Sequence, residues 1–179
     1  MFDTLFTSLI AIGTVALQLF LLVTIVAWIA KAPFATWVAR NSSWIMKIIF
    51  VGATVGSLVY SEFIGFAPCI LCWYQRIAIY PIAILLFTAN LSKSALLRIQ
   101  TIILASAGLA VALYHNIITW FPGAGTACAT TGPSCTVLYV FKFGYVTIPM
   151  MSATVLLAGV LLTVLASRFP QQDVVASAK

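Results

Sequence analysis

Two pairs of cysteines, Cys69-Ile70-Leu71-Cys72 and Cys128 with Cys135, are the residues of this chain best suited to chemistry, and they are its only four cysteines. Dithiols and disulfides exchange by thiolate attack through a mixed disulfide, so two such pairs within reach of one another can hand on an electron pair. A C-x-x-C that opens a helix puts its second sulfur near free backbone N–H groups and the positive end of the helix dipole, which stabilises thiolate. Arg76 follows Cys72 by four residues and so lies one turn deeper on the same face. A guanidinium there would stabilise the thiolate, or an anion made beside it. The bland alternative is an interfacial arginine reaching back to lipid headgroups, paired with Glu62.

Cys128 and Cys135 enclose six residues, among them Gly132 and Pro133. That loop is short enough to close into a local disulfide and suited to exchange with another protein. A static bridge pinning an outer loop is the plain alternative; a second pair at a helix start favours a relay. Zinc is the other account of four cysteines. The first pair has the spacing of a structural zinc site, but six intervening residues in the second do not, so no metal is expected. Electrons leaving two dithiols need an acceptor, and the chain carries no nucleotide loop, haem motif or flavin site. A lipid-soluble quinone entering laterally would need none of these. It would need an apolar slot, a cation and a proton donor. Arg76 supplies the cation, and His115, the only histidine, could donate a hydrogen bond or proton.

The elements that must position these residues are membrane helices. Of 179 residues 63% are hydrophobic and 7% charged, with mean hydropathy +1.15, whereas a soluble domain carries about a quarter charged residues. Nucleic-acid binding is excluded despite the net charge of +6, because nine scattered Lys and Arg make no basic stripe. Spans of about 20 apolar residues are expected at Thr4–Ala30, Trp44–Ile64, Trp73–Leu91, Ile99–Phe121 and Val146–Ser167. The first lacks a basic n-region and is too long for a signal peptide, so it reads as a retained helix. Lys31, Arg40, Lys47, Lys93, Arg98, Arg168 and Lys179 fall on one side, Arg76 and Lys142 on the other. The positive-inside rule makes the richer side cytoplasmic. The N-terminus and both cysteine pairs are then extracytoplasmic and the C-terminus cytoplasmic. The aromatics agree: Trp73, Tyr74, Trp120 and Phe121 would mark the outer interface, Trp37 and Trp44 the inner one.

The stretch Pro68-Cys69-Ile70-Leu71-Cys72-Trp73-Tyr74-Gln75-Arg76-Ile77, followed by Tyr80-Pro81, resembles the signature of the DsbB disulfide bond formation proteins, in particular the BdbC-like branch. Gly56-Ser57-Leu58, Ser61-Glu62, Tyr114-His115 and Phe143-Gly144-Tyr145-Val146-Thr147-Ile148-Pro149 are similar too. The likeness covers about 45–167. It implies an all-α, polytopic membrane protein with a four-helix bundle at 44–168, here preceded by an extra transmembrane helix and inner loop at 1–43 and followed by a cytoplasmic tail at 169–179. It also implies a bacterial inner-membrane enzyme that reoxidises a DsbA-like thioredoxin-fold dithiol oxidase and passes the electrons to ubiquinone or menaquinone. On that resemblance Cys128 would form the mixed disulfide with the partner, Cys135 would exchange with Cys69, and Cys72 would face the quinone beside Arg76. His115 would match a quinone-proximal histidine of some members. A vitamin-K-epoxide-reductase-like enzyme has similar chemistry, but there the loop pair precedes the C-x-x-C. A non-enzymatic scaffold with structural disulfides is the remaining alternative.

Overall fold

Five long helices make up most of the computed structural model, which describes residues 2–88, 90–91, 93–121 and 133–169. They are α1 (Phe2–Ile29), α2 (Pro33–Leu58), α3 (Ile70–Thr88), α4 (Ala95–Trp120) and α5 (Ile148–Arg168), with a π-helical turn, Val59–Phe63, continuing α2. Each is long and apolar enough to cross a bilayer, which makes this a multi-pass, all-α membrane protein. The tail expected at 169–179 lies outside the described residues beyond Phe169, as does Cys128.

The expected spans hold to within a few residues except the second. It begins at Pro33, eleven residues before Trp44, so most of what reads as an inner loop is helix. Proline is well placed there, since the first helical position needs no N–H donor and its φ is already helical. The charge of Lys47 inside this span is met by aromatic faces: its Nζ lies 5.1 Å from the Trp44 ring centre and 5.8 Å from that of Phe87. The turn between α1 and α2 is tight. Lys31 adopts a left-handed φ of 54°, and Ala32 N–H returns to Ala27 O at 2.8 Å, closing the helix in the manner usually served by glycine.

α5 is the hub and α1 the outrigger. More than half of the most apolar stretch of α5 is buried (56%), against 22% for α1. Close approach at the hub depends on two glycines. A Cβ on Gly108 would lie 2.6 Å from Ala78 Cβ, and one on Gly159 would lie 2.8 Å from Phe50 Cζ. With no hydrophobic drive between helices in lipid, such small residues let backbones meet and gain dispersion contacts. Around them Phe50, Ile82, Ala105, Leu156 and Leu162 form the core.

The ends of α2, α4 and α5 are fixed by local chemistry. The π-turn at Val59–Phe63 ends at Gly65, whose φ of +81° lets Phe66 N–H reach Tyr60 O at 2.9 Å. Ser94 caps α4 by accepting from Leu97 N–H, and Thr147 caps α5 by accepting from Met150 N–H. Before α5, Phe143 and Gly144 turn the chain so that Lys142 and Val146 pair across an antiparallel bridge.

Candidate functional site

Cys69 stands immediately before α3, and its sulfur caps the helix: Cys72 N–H donates to Cys69 Sγ at 3.4 Å. The two sulfurs are 2.9 Å apart, as free thiols. The expectation that Cys72 is the sulfur held at the helix terminus is therefore corrected. A side chain at the capping position curls back onto the third N–H of the helix, so Cys69 collects that stabilisation. The Cys72 thiol hydrogen bond, followed by the hydrogen bonds from His115 and the Cys72 N–H, lowers the pKa of Cys69 against the opposing push of burial.

His115, on α4, bridges the two cysteine segments. Its Nε2 lies 3.0 Å from the carbonyl oxygen of Cys135 and 3.8 Å from Cys69 Sγ. Gln75 Nε2 is 3.0 Å from its Nδ1. With the Gln75 amide donating there, a neutral imidazole carries its proton on Nε2 and donates it to Cys135 O. Sequence reasoning missed Gln75; its position three residues after Cys72, on the same helix face, was the available signal. Cys135 is disulfide-bonded and buried. Cys69, Cys72, His115 and Cys135 together line a small cavity of about 20 Å³ closed by Pro149 and Thr119. The ligand atoms of Cys69, Cys72 and His115 lie within 4.8 Å of one another, a three-donor soft set one ligand short of a structural zinc tetrahedron.

Arg76 points elsewhere. Its Nη2 donates to Ser57 O at 3.0 Å and its guanidinium lies over the Trp73 ring, 5.2 Å from the centre. Tyr80, one turn on, donates to Ser57 Oγ at 3.2 Å. The suggested pairing with Glu62 does not form; that carboxylate accepts from Ser61 Oγ instead. Arg76 and Cys72 both line a second, apolar cavity of about 410 Å³, within the roughly 300–1,000 Å³ of small-molecule sites. Tyr60 and Gln75 line it too, and the Tyr60 hydroxyl is buried without a hydrogen-bond partner. His115, expected beside the quinone with Arg76, is not among the residues of this cavity; it lines the small one.

A DsbB family model, "Disulfide bond formation protein DsbB", matches residues 39–178. The chain belongs to the DsbB family. Curated relatives agree. Probable disulfide formation protein C 1 of Bacillus anthracis is 38% identical over 125 residues, covering 68% of this chain and 84% of its own. The SPbeta prophage-derived disulfide bond formation protein B of Bacillus subtilis is 41% identical over 100 residues, 56% of this chain and 68% of its own. Disulfide bond formation protein C of the same organism is 33% identical over 112 residues, 62% and 79% of the two chains. No solved structure matches. As a DsbB-family disulfide bond formation protein, the chain has one element outside the family match: α1 ends at Ile29, before residue 39.

Proposed function

We propose that the protein is a quinone-dependent protein-disulfide oxidoreductase that reoxidises an extracytoplasmic, DsbA-like thioredoxin-fold dithiol. One observation carries the reading: Cys72 borders both cavities, the small one shared with Cys69, Cys135 and His115 and the large apolar one shared with Arg76. A sulfur at that partition suits a relay from thiols to a lipid-soluble acceptor. The positive-inside count supports placing this end of the bundle outside the cytoplasm.

In the proposed relay the reduced partner exchanges with the Cys128–Cys135 disulfide through a mixed disulfide on Cys128, leaving the partner oxidised and this pair a dithiol. The Cys135 thiolate then attacks Cys69 of a Cys69–Cys72 disulfide and expels Cys72 as thiolate. Cys128 attacks Cys135 in turn, re-forming the loop disulfide and expelling Cys69. The low pKa of Cys69 favours that last departure, because the leaving sulfur departs faster when its thiol is more acidic. His115 holds the Cys135 carbonyl beside Cys69, and Arg76 stabilises negative charge near Cys72. The large cavity fits a quinone head: its walls are apolar, with a cation and an unpartnered phenol among them. A bound quinone would take up the electron pair and two protons as quinol, returning Cys69 and Cys72 to a disulfide.

The reading is tested by mixing purified protein with quinone and a reduced thioredoxin-fold partner while following quinone absorbance. Turnover of quinone in step with partner oxidation is expected, and Cys135→Ser mixed with the oxidised partner should trap it on Cys128, whose thiolate attacks the partner disulfide and expels one partner thiolate. Stoichiometric zinc with both C-x-x-C thiols blocked would instead establish a metal site.

A further inference from the structure

The large cavity is not built by the family-matched segment alone. Leu9, Ile10, Gly13, Thr14 and Leu17 of α1 line it together with Cys72, Gln75 and Arg76 of α3. α1 is seated there by a polar latch. Gln18 Nε2 donates to Thr154 Oγ1 on α5 at 3.0 Å, and the Tyr145 hydroxyl donates to Gln18 Oε1 at 2.7 Å. In an apolar bilayer such bonds hold helices in register because few other polar partners are available. Phe6 adds an edge-on contact to the Tyr60 ring at 5.4 Å.

The seam between α1 and α2 is closed at one level and open at the next. A Cβ on Gly56 would meet Ile10 Cδ1 at 3.6 Å, so the helices touch there. The two helices run antiparallel, so three residues along α1 and four back along α2 reach Gly13 and Gly52 at a similar height. Both glycines line the cavity, both are exposed at the surface, and a Cβ on either would meet nothing within 4 Å. We infer that α1 is the outer wall of the quinone cavity, and that the gap between Gly13 and Gly52 is the lateral passage by which quinone reaches it from the bilayer. This rests on the quinone reading above. It gives α1 a role in selecting and retaining the acceptor, separate from the cysteine chemistry.

The test is quinone binding, not turnover. Full-length protein in nanodiscs is mixed with ubiquinone-1 or menadione, and association and release are followed by stopped-flow quenching of tryptophan fluorescence. Gly13→Leu and Gly52→Leu should each slow association about tenfold. Ala16→Leu, on an exposed α1 position outside the cavity lining, should leave it unchanged. Gln18→Ala unlatches the wall and should speed release several-fold, which keeps the inference testable if a leucine variant misfolds. Normal association in Gly13→Leu with slowed association in Gly52→Leu would overturn the role of α1 and leave the cavity as the quinone site. Normal association in both would overturn the passage. Absence of quinone binding by the wild-type protein would overturn the quinone reading itself.

Discussion

The two cavities that meet at Cys72 differ sharply in size and lining. The small one is tight: two C-x-x-C sulfurs, the Cys135 backbone and an imidazole oriented by Gln75 meet there, with distances near hydrogen-bond length. The large one is twenty-fold roomier and mostly hydrocarbon, with Arg76 its cation. Sulfur exchange needs reacting atoms held close and solvent kept out, so it favours the first arrangement. A mobile lipid-soluble acceptor must enter, turn and leave, so it favours the second. In the proposed relay, the one thiol among the described residues that lines both cavities would couple the tight site to the roomy one.

Removing the partition residue should have the largest effect. Cys72→Ser is expected to lower quinone reduction by about a thousandfold or more, since no other thiol borders the large cavity among the described residues. Binding of ubiquinone-1 should survive, measured in parallel by fluorescence quenching. Normal quinone reduction by this variant would dissolve the division of labour between the cavities.

Arg76→Ala should act on the loose site alone. Loss of a buried cation that also donates to Ser57 O is expected to weaken quinone binding about 10- to 100-fold, of the order of a charged hydrogen bond at about 1.5–3 kcal/mol. Exchange between the cysteine pairs, followed by quenched alkylation without quinone, should stay within a factor of two or so. Arg76→Lys should recover only part of the binding, because an ammonium cannot reproduce both the Ser57 bond and the stacking on Trp73. His115→Phe is the mirror case. Exchange between the pairs should slow about five- to tenfold, the worth of one hydrogen bond near 1 kcal/mol, while quinone affinity is kept.

A pH titration probes the tight site further. Cys69 has its folded pKa depressed, by the Cys72 thiol first and by His115. Its thiolate should therefore persist as pH falls well below the ordinary cysteine value of about 8.5. The stability it contributes is present above that unfolded value and lost as pH drops through the folded one. Thiolate absorbance near 240 nm in reduced Cys128→Ser/Cys135→Ser protein reads this directly. A midpoint at or above 8.5 would remove the helix-capping account of Cys69.

How much of this was legible in the sequence differs between the two sites. The spans were readable from runs of apolar residues, and Cys69, Cys72 and Arg76 from their i, i+3 and i+7 spacing at the start of one helix. The start of α2 was not, because Trp37, Arg40 and Asn41 lower the local hydropathy although Pro33 permits a helix there. The place of His115 was hidden for a different reason. Its partners, Gln75 and the Cys135 carbonyl, are 40 and 20 residues away, and only the packing of α3 on α4 brings them together. The wall formed by α1 was equally invisible, since no local pattern tells which face of a uniformly apolar helix meets a cavity.

The smallest expected effect separates the seating of α1 from the passage beside it. Lys31 sits at the C-terminal cap of α1 with a φ of 54°, a conformation that costs a side-chain-bearing residue about 1 kcal/mol relative to glycine. Ala32 N–H to Ala27 O and Lys31 N–H to Trp28 O already complete the cap, so Lys31→Gly should relieve strain without changing the turn. Thermal stability should rise slightly, by about 1 kcal/mol or less, and quinone association through the distant Gly13–Gly52 gap should be unaltered. A change in association on this substitution would mean that the angle of α1, set at its far end, governs the width of the gap. The rigid and loose halves of the site would then be tuned by a hinge on the opposite side of the bilayer.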